Sequence, residues 1–149
     1  MENRSSFRIL HGAAGCSLFF GLFHVPFLFL DEQAARYFTA PRPVLALIRE
    51  HSPWLYLIVA AVVLVFGVAA LYALSAAGTV RPLPGRRGML ALVATVYTLR
   101  GLVVVPQVLT LWRHPGALLP QMPVFSAIAL VVGILHWVGY RQWRAGGAP

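Results

Sequence analysis

The sequence predicts an all-α membrane protein, a bundle of four transmembrane helices. Of its 149 residues, 59% are hydrophobic and only 11% are charged, whereas soluble domains carry about 25% charged residues. Four apolar stretches each approach or exceed the roughly 20 residues that a bilayer crossing needs. The arginines lie mostly between these stretches. A chain of this composition lacks the material for a water-facing surface, so lipid is its expected solvent.

The four predicted spans form a single domain, 1–149, and cover residues 7–30, 53–77, 89–111 and 124–143. The first span lacks a small-residue cleavage site after its apolar run, so we interpret it as a membrane helix and not as a signal peptide. The second begins at Pro53, since proline is favoured in a first helical turn. The fourth is the shortest and reaches full length with Trp143 as an interfacial anchor.

Two prolines are predicted to kink these helices. Pro26 removes the hydrogen bond to the Leu22 carbonyl in the first span, and Pro106 removes the bond to the Leu102 carbonyl in the third. Both lie in the same half of the bundle, the half next to the connector 31–52. Within that connector the run VLALIREH (44–51) suits a short helix lying on the membrane surface. Two or three such turns would cover an outward-facing opening of the bundle, and the alternative is a connector that only follows the interface.

The arginines also predict an orientation. Twelve basic residues are all Arg. Seven of them flank the two termini and the loop after the second span, and four lie on the other side together with three acids. The side richer in Arg normally faces the cytoplasm, so we expect both termini there.

The absence of Lys indicates a GC-rich bacterial genome, and thus a multi-pass protein of the bacterial inner membrane. The sequence contains no basic stripe with interleaved aromatic residues, so nucleic-acid binding is not predicted.

Two histidines are expected to point into the bundle. Small residues line the faces on which transmembrane helices associate. In the first span Ala13, Ser17 and Gly21 share one face, and His24 falls about 20° from Ala13 at 100° per residue. In the fourth span His136 continues a 4-3-4-3 seam of small and aromatic residues. We therefore expect both imidazoles in the interior.

The most unusual residue is Arg100, at the centre of the third span. Tyr97 lies about 60° and Gln107 about 20° from it on a helical projection, which predicts a polar stripe facing the interior. Such a charge costs at least about 2.5–3.5 kcal/mol at mid-bilayer. The four acids of the chain, Glu2, Asp31, Glu32 and Glu50, lie outside the spans. Neutral side chains and freed carbonyls, an external ligand, or an acid on a partner subunit are the remaining partners.

From these observations we expect a protein that binds or moves an anionic or carbonyl-bearing amphiphile of lipid or quinone type. The expected ligand-binding residues are Arg100, Tyr97, Gln107, His24 and His136. The alternatives are a structural or accessory subunit of a larger membrane complex and a b-type haem protein. A homo-oligomer or a partner membrane subunit is consistent with either. The single Cys16 and the lack of catalytic or metal-binding motifs predict no enzyme site, metal or cofactor.

Overall fold

The computed structural model describes residues 4–146, with side chains from Phe7 onward. That part of the chain is all helical, without strands, which confirms the predicted class. Four helical segments are long and apolar enough to cross a membrane: Phe7–Leu28, Trp54–Ala76, Arg86–Arg113 and Gln121–Ala145. The α-helices are α1 (Arg4–Leu22), α2 (Glu32–Tyr37), α3 (Arg42–Arg49), α4 (Trp54–Ala76), α5 (Arg86–Leu102), α6 (Val104–Arg113) and α7 (Gln121–Ala145).

The first and third long segments are each interrupted near a proline, as the sequence predicts. Helix α1 ends at Leu22 and is followed by a 3-10 turn, Val25–Leu28, which contains Pro26. The third segment is divided at Val103 into α5 and α6, three residues before Pro106. In both cases the missing proline N–H and the bulk of its ring prevent the α-helix from continuing unbroken.

Helices α5 and α7 form the most extensive contact, and α1 packs against both α4 and α7. Glycines permit the close approach of α5 and α7. A Cβ atom at Gly101 would clash with the Leu130 backbone, and one at Gly133 would lie 2.6 Å from the Thr98 hydroxyl oxygen. The two helices are antiparallel, so these contacts fix which residues of α7 lie opposite Arg100.

The start of α1, the α4–α5 turn and the end of α7 meet at one end of the bundle. Leu10, Leu90 and Trp143 share a buried cluster there, and the Arg86 guanidinium lies 5.4 Å from the centroid of the Trp143 ring. The Nε2 atom of His11 is 2.7 Å from the Thr79 hydroxyl. We call this the terminal end, and the opposite one the connector end. The acids whose side chains are described, Asp31, Glu32 and Glu50, all belong to the connector.

The connector is folded and has its own core. Its helices α2 and α3 pack on the 3-10 turn and on α4 through a buried cluster that consists of Phe27, Ala35, Leu45, Ile48, Leu55 and Val59. Asp31 caps α2, since its side chain accepts a 2.7 Å hydrogen bond from the Ala34 N–H. The Gln121 side chain donates to the Tyr37 carbonyl and so ties the connector to the start of α7. A helix is therefore present where the sequence predicts one, and α2 precedes it.

Candidate functional site

Arg100 lies at the edge of the contact between α5 and α7, with its side chain exposed. Its Nη1 atom donates a 2.7 Å hydrogen bond to the Ser126 hydroxyl of α7. Val96 and Leu99 beside it are 57% and 61% exposed, so this is the outer surface of the bundle. The prediction that Arg100 faces the interior is wrong. The buried face of α5 passes through Leu90, Ala94 and Gly101, about 80–120° away from Arg100 on a helical projection.

Arg100 lies near the middle of the helical segment Arg86–Arg113, as the sequence predicts. Ser126 lies five residues after the start of α7 at Gln121, which corresponds to about 7 Å along the axis. From the register set by Gly101 and Gly133, Ser126 is nearer to the connector end than the Arg100 backbone is. The arginine side chain therefore runs toward that end, in the manner of a side chain that snorkels.

Arg100 has few partners for a guanidinium with five N–H donors. Among the described residues its one hydrogen bond is to Ser126, and no carboxylate lies within 4 Å. Among the described residues, an ion pair is formed between Arg36 and Glu32 in the connector. Ser126 is fully buried, so it holds the guanidinium at the edge of the interface, and the remaining N–H donors have no hydrogen-bond partner in the part of the chain that the structure describes.

Tyr97, unlike Arg100, does face the interior. It is buried, and its hydroxyl donates a 3.1 Å hydrogen bond to Ser17 of α1. Its ring stacks on His136 of α7, with ring centroids 5.3 Å apart and planes 22° apart. Tyr97 therefore links three helices, and the expectation that His136 is interior is confirmed, since its exposed fraction is 0%.

His136 has one nitrogen bonded and one without a protein partner. Its Nδ1 lies 2.9 Å from the Val132 carbonyl oxygen. A carbonyl only accepts, so Nδ1 carries the proton and Nε2 of the neutral ring is an acceptor. This buried Nε2 has no hydrogen-bond partner among the described residues. It belongs to the ring that stacks on Tyr97, so the described core contains an unpaired polar atom at this point.

His24 and Gln107 lie apart from Arg100, and they belong to different elements of the fold. The Nδ1 of His24 is 2.6 Å from the Phe20 carbonyl, and its half-buried ring stacks on Phe66 with centroids 5.7 Å apart. Phe66 in turn lies 6.0 Å from Tyr97, so an aromatic row connects the two histidines. Gln107 is buried on α6, beyond the interruption at Val103, and its Oε1 has no partner in the described part of the chain.

The five predicted site residues are thus divided among three places, since Gln107 is buried separately on α6. Tyr97 and His136 are in direct contact in the interior, and His24 reaches them through Phe66. Arg100 belongs to the outer surface, where sequence reasoning overlooked Ser126. The signal was present, because Ser126 is a hydroxyl within the apolar run of α7. In residues 4–146 no three His, Cys, Asp or Glu side chains are grouped as metal ligands would be.

Comparison of the chain with protein-family models, with curated proteins and with solved structures gave no match. The geometry of this chain is therefore the basis on which its function has to be argued.

Proposed function

We propose that this is a multi-pass protein of the bacterial inner membrane, with both termini cytoplasmic, that binds an anionic or carbonyl-bearing amphiphile of lipid or quinone type through Arg100. The observation behind this proposal is an exposed guanidinium at the middle of an apolar helix surface, with a single neutral partner, Ser126. Movement of the amphiphile across the bilayer would use the same site, and the binding does not depend on it.

The surroundings of Arg100 favour a ligand that arrives through the bilayer. Val96 and Leu99 of α5 and Val131 of α7 are more than half exposed and apolar, so they offer contact to hydrocarbon. Arg100 offers planar, charge-assisted donors to an oxygen at the same depth. An amphiphile contacts the apolar side chains and also pairs with the guanidinium, whereas a small water-soluble anion pairs only with the guanidinium.

The energetics point the same way. A guanidinium at this depth costs several kcal/mol unless it reaches water, a counter-charge or a polar partner. One hydrogen bond from a charged donor to a neutral hydroxyl offsets about 1.5–3 kcal/mol, which covers only part of this cost. The described carboxylates lie in the connector, so the spans do not supply the counter-charge. An oxygen atom of a ligand would accept the guanidinium hydrogen bonds that Ser126 does not accept.

The test compares Arg100→Leu with the wild type and with Arg113→Leu as matched control. Arg113 is an exposed arginine at the end of α6, so its removal changes the net charge equally. Protein exchanged into mixed phosphatidylcholine and phosphatidylglycerol would be analysed by native mass spectrometry for retained lipid, and separately titrated with a short-chain ubiquinone analogue. We expect Arg100→Leu to weaken the preferred ligand about tenfold, while Arg113→Leu does not.

The melting temperature, measured on the same samples, separates binding from a structural role. Removing a poorly solvated charge is often neutral or stabilising, so Arg100→Leu should keep or raise the melting temperature. Arg100→Lys should bind poorly, because a point charge does not reproduce the planar fork. A sharp loss of stability without ligand in either protein would overturn the proposal. Co-purification of a stoichiometric partner that is lost in Arg100→Leu would instead assign the arginine to a subunit interface.

A further inference from the structure

A cavity of about 280 Å³ opens at the connector end, between the 3-10 turn, the end of α3 and the start of α4. Its wall includes the apolar side chains of Phe27, Ile48 and Leu55, and its rim carries the polar groups of Asp31, Glu32, Arg49 and His51. None of the five residues predicted as a ligand site lines it. It is therefore a separate place from the Arg100 surface, and an inference about it goes beyond the proposed function.

The two carboxylates on the rim are already engaged. Asp31 accepts from the Ala34 N–H at 2.7 Å and so holds the start of α2. Glu32 forms a 2.6 Å ion pair with Arg36. Arg49 and His51, in contrast, make no side-chain hydrogen bond or ion pair with another described residue. The cavity therefore presents a guanidinium and an imidazole among its unengaged polar groups, together with the hydroxyls of Ser52 and Tyr56.

The backbone at His51 adds a second observation. Its φ angle is +48°, in the left-handed region that favours glycine. The position ends α3, with the Ser52 N–H donating to the Leu47 carbonyl at 2.9 Å and the His51 N–H donating to the Ile48 carbonyl at 3.1 Å. Glycine is the usual residue at such a helix end. Strained backbone positions of this kind cluster at ligand sites, and His51 carries its imidazole at the lining of this cavity.

We propose that this cavity binds a small single-chain carboxylate. The carboxylate pairs with Arg49 and accepts from His51, and the chain lies against Phe27, Ile48 and Leu55. The size of the cavity suits this class, because about 280 Å³ has room for a short hydrocarbon chain. The amphipathic wall and rim match the apolar chain and charged head of such a ligand.

Binding of radiolabelled octanoate to the protein in phosphatidylcholine nanodiscs tests this proposal, with empty nanodiscs subtracted. Arg49→Gln removes the charge on the rim, and Arg42→Gln is the matched control, an exposed arginine of the same helix outside the cavity lining. We expect saturable binding in the wild type and in Arg42→Gln, and binding about tenfold weaker in Arg49→Gln. His51→Gly should keep or raise the melting temperature and also weaken octanoate binding.

Three results would overturn the proposal. Equal octanoate binding by Arg49→Gln and the wild type would remove the role of the guanidinium. Preference for octylammonium over octanoate would show that the rim carboxylates dominate. Competition by inorganic phosphate as effective as that by octanoate would show that the apolar wall is unused. Arg100→Leu should bind octanoate as the wild type does, so failure of this site and failure of the Arg100 site are distinguishable.

Discussion

Arg100 and Ser126 connect the two most closely packed helices, through a 2.7 Å hydrogen bond between a guanidinium N–H and a hydroxyl oxygen. Ser126 is fully buried and Arg100 is exposed, so the bond crosses from the core of the bundle to its surface. Whatever approaches Arg100 from outside therefore meets a guanidinium whose position is set by the core.

This pair should be energetically coupled. A double-mutant cycle with Arg100→Leu, Ser126→Ala and the double variant measures the coupling from unfolding free energies in mixed micelles. We expect about 1.5–3 kcal/mol, the range of a single hydrogen bond that involves a charged group. Additive single effects would contradict the hydrogen bond as an energetic link between α5 and α7.

The α5–α7 contact should be intolerant of side chains at its glycines. Gly133→Leu places a Cβ atom 2.6 Å from the Thr98 hydroxyl and 2.8 Å from its backbone nitrogen, so the helices must separate. We expect a loss of about 1–3 kcal/mol in unfolding free energy. Gly15→Leu is the matched control, because a Cβ atom there meets nothing within 4 Å. Equal melting temperatures for the two variants in detergent would refute the packing argument.

Tyr97 should stabilise the interior through its hydroxyl as well as its ring. Tyr97→Phe keeps the ring next to His136 and removes the hydrogen bond to Ser17. We expect a loss of about 1 kcal/mol. Ser17→Ala removes the same bond, so the double variant should cost less than the sum of the single ones. Tyr56→Phe, at an exposed position, serves as the control, and a similar loss there would contradict a specific role for the Tyr97 hydroxyl.

The orientation of the bundle can be read from reporter fusions. Fusions within 81–87 and after Gly147, which lies outside the described residues, should report the cytoplasm, and fusions near Arg42 should report the periplasm. The reason is that the described side chains at the terminal end include six arginines and no acid, namely Arg8, Arg81, Arg86, Arg87, Arg141 and Arg144. A periplasmic C-terminus would invert the assignment.

The helices were predictable because each is determined by residues that are close together in the sequence. Long apolar runs specify the four segments, and Pro26 and Pro106 explain the interruptions near Leu22 and Val103. The interior position of His136 followed from helical periodicity together with the small residues of its seam. Tyr97 was predicted to be interior as part of the polar stripe centred on Arg100.

The direction of Arg100 was not predictable from the polar residues around it. A projection centred on polar side chains placed the inner face at Arg100, whereas packing is governed by the small residues, and Ala94 and Gly101 define the buried face. The interruption at Val103 also separates Gln107 from the α5 stripe. The connector cavity depends on contacts between α3, α4 and the 3-10 turn, which periodicity along a single helix does not contain.

The glycine contacts between α5 and α7 also determine which parts of the molecule can move. With Gly101 against Leu130 and Gly133 against Thr98, sliding of one helix along the other would drive side chains into backbone. These two helices should therefore behave as one rigid body. Val103 and His24, where the α-helices are interrupted, are then the natural hinges. Opening or closing of this protein would take place at the connector end, by pivoting of α6 and the 3-10 turn.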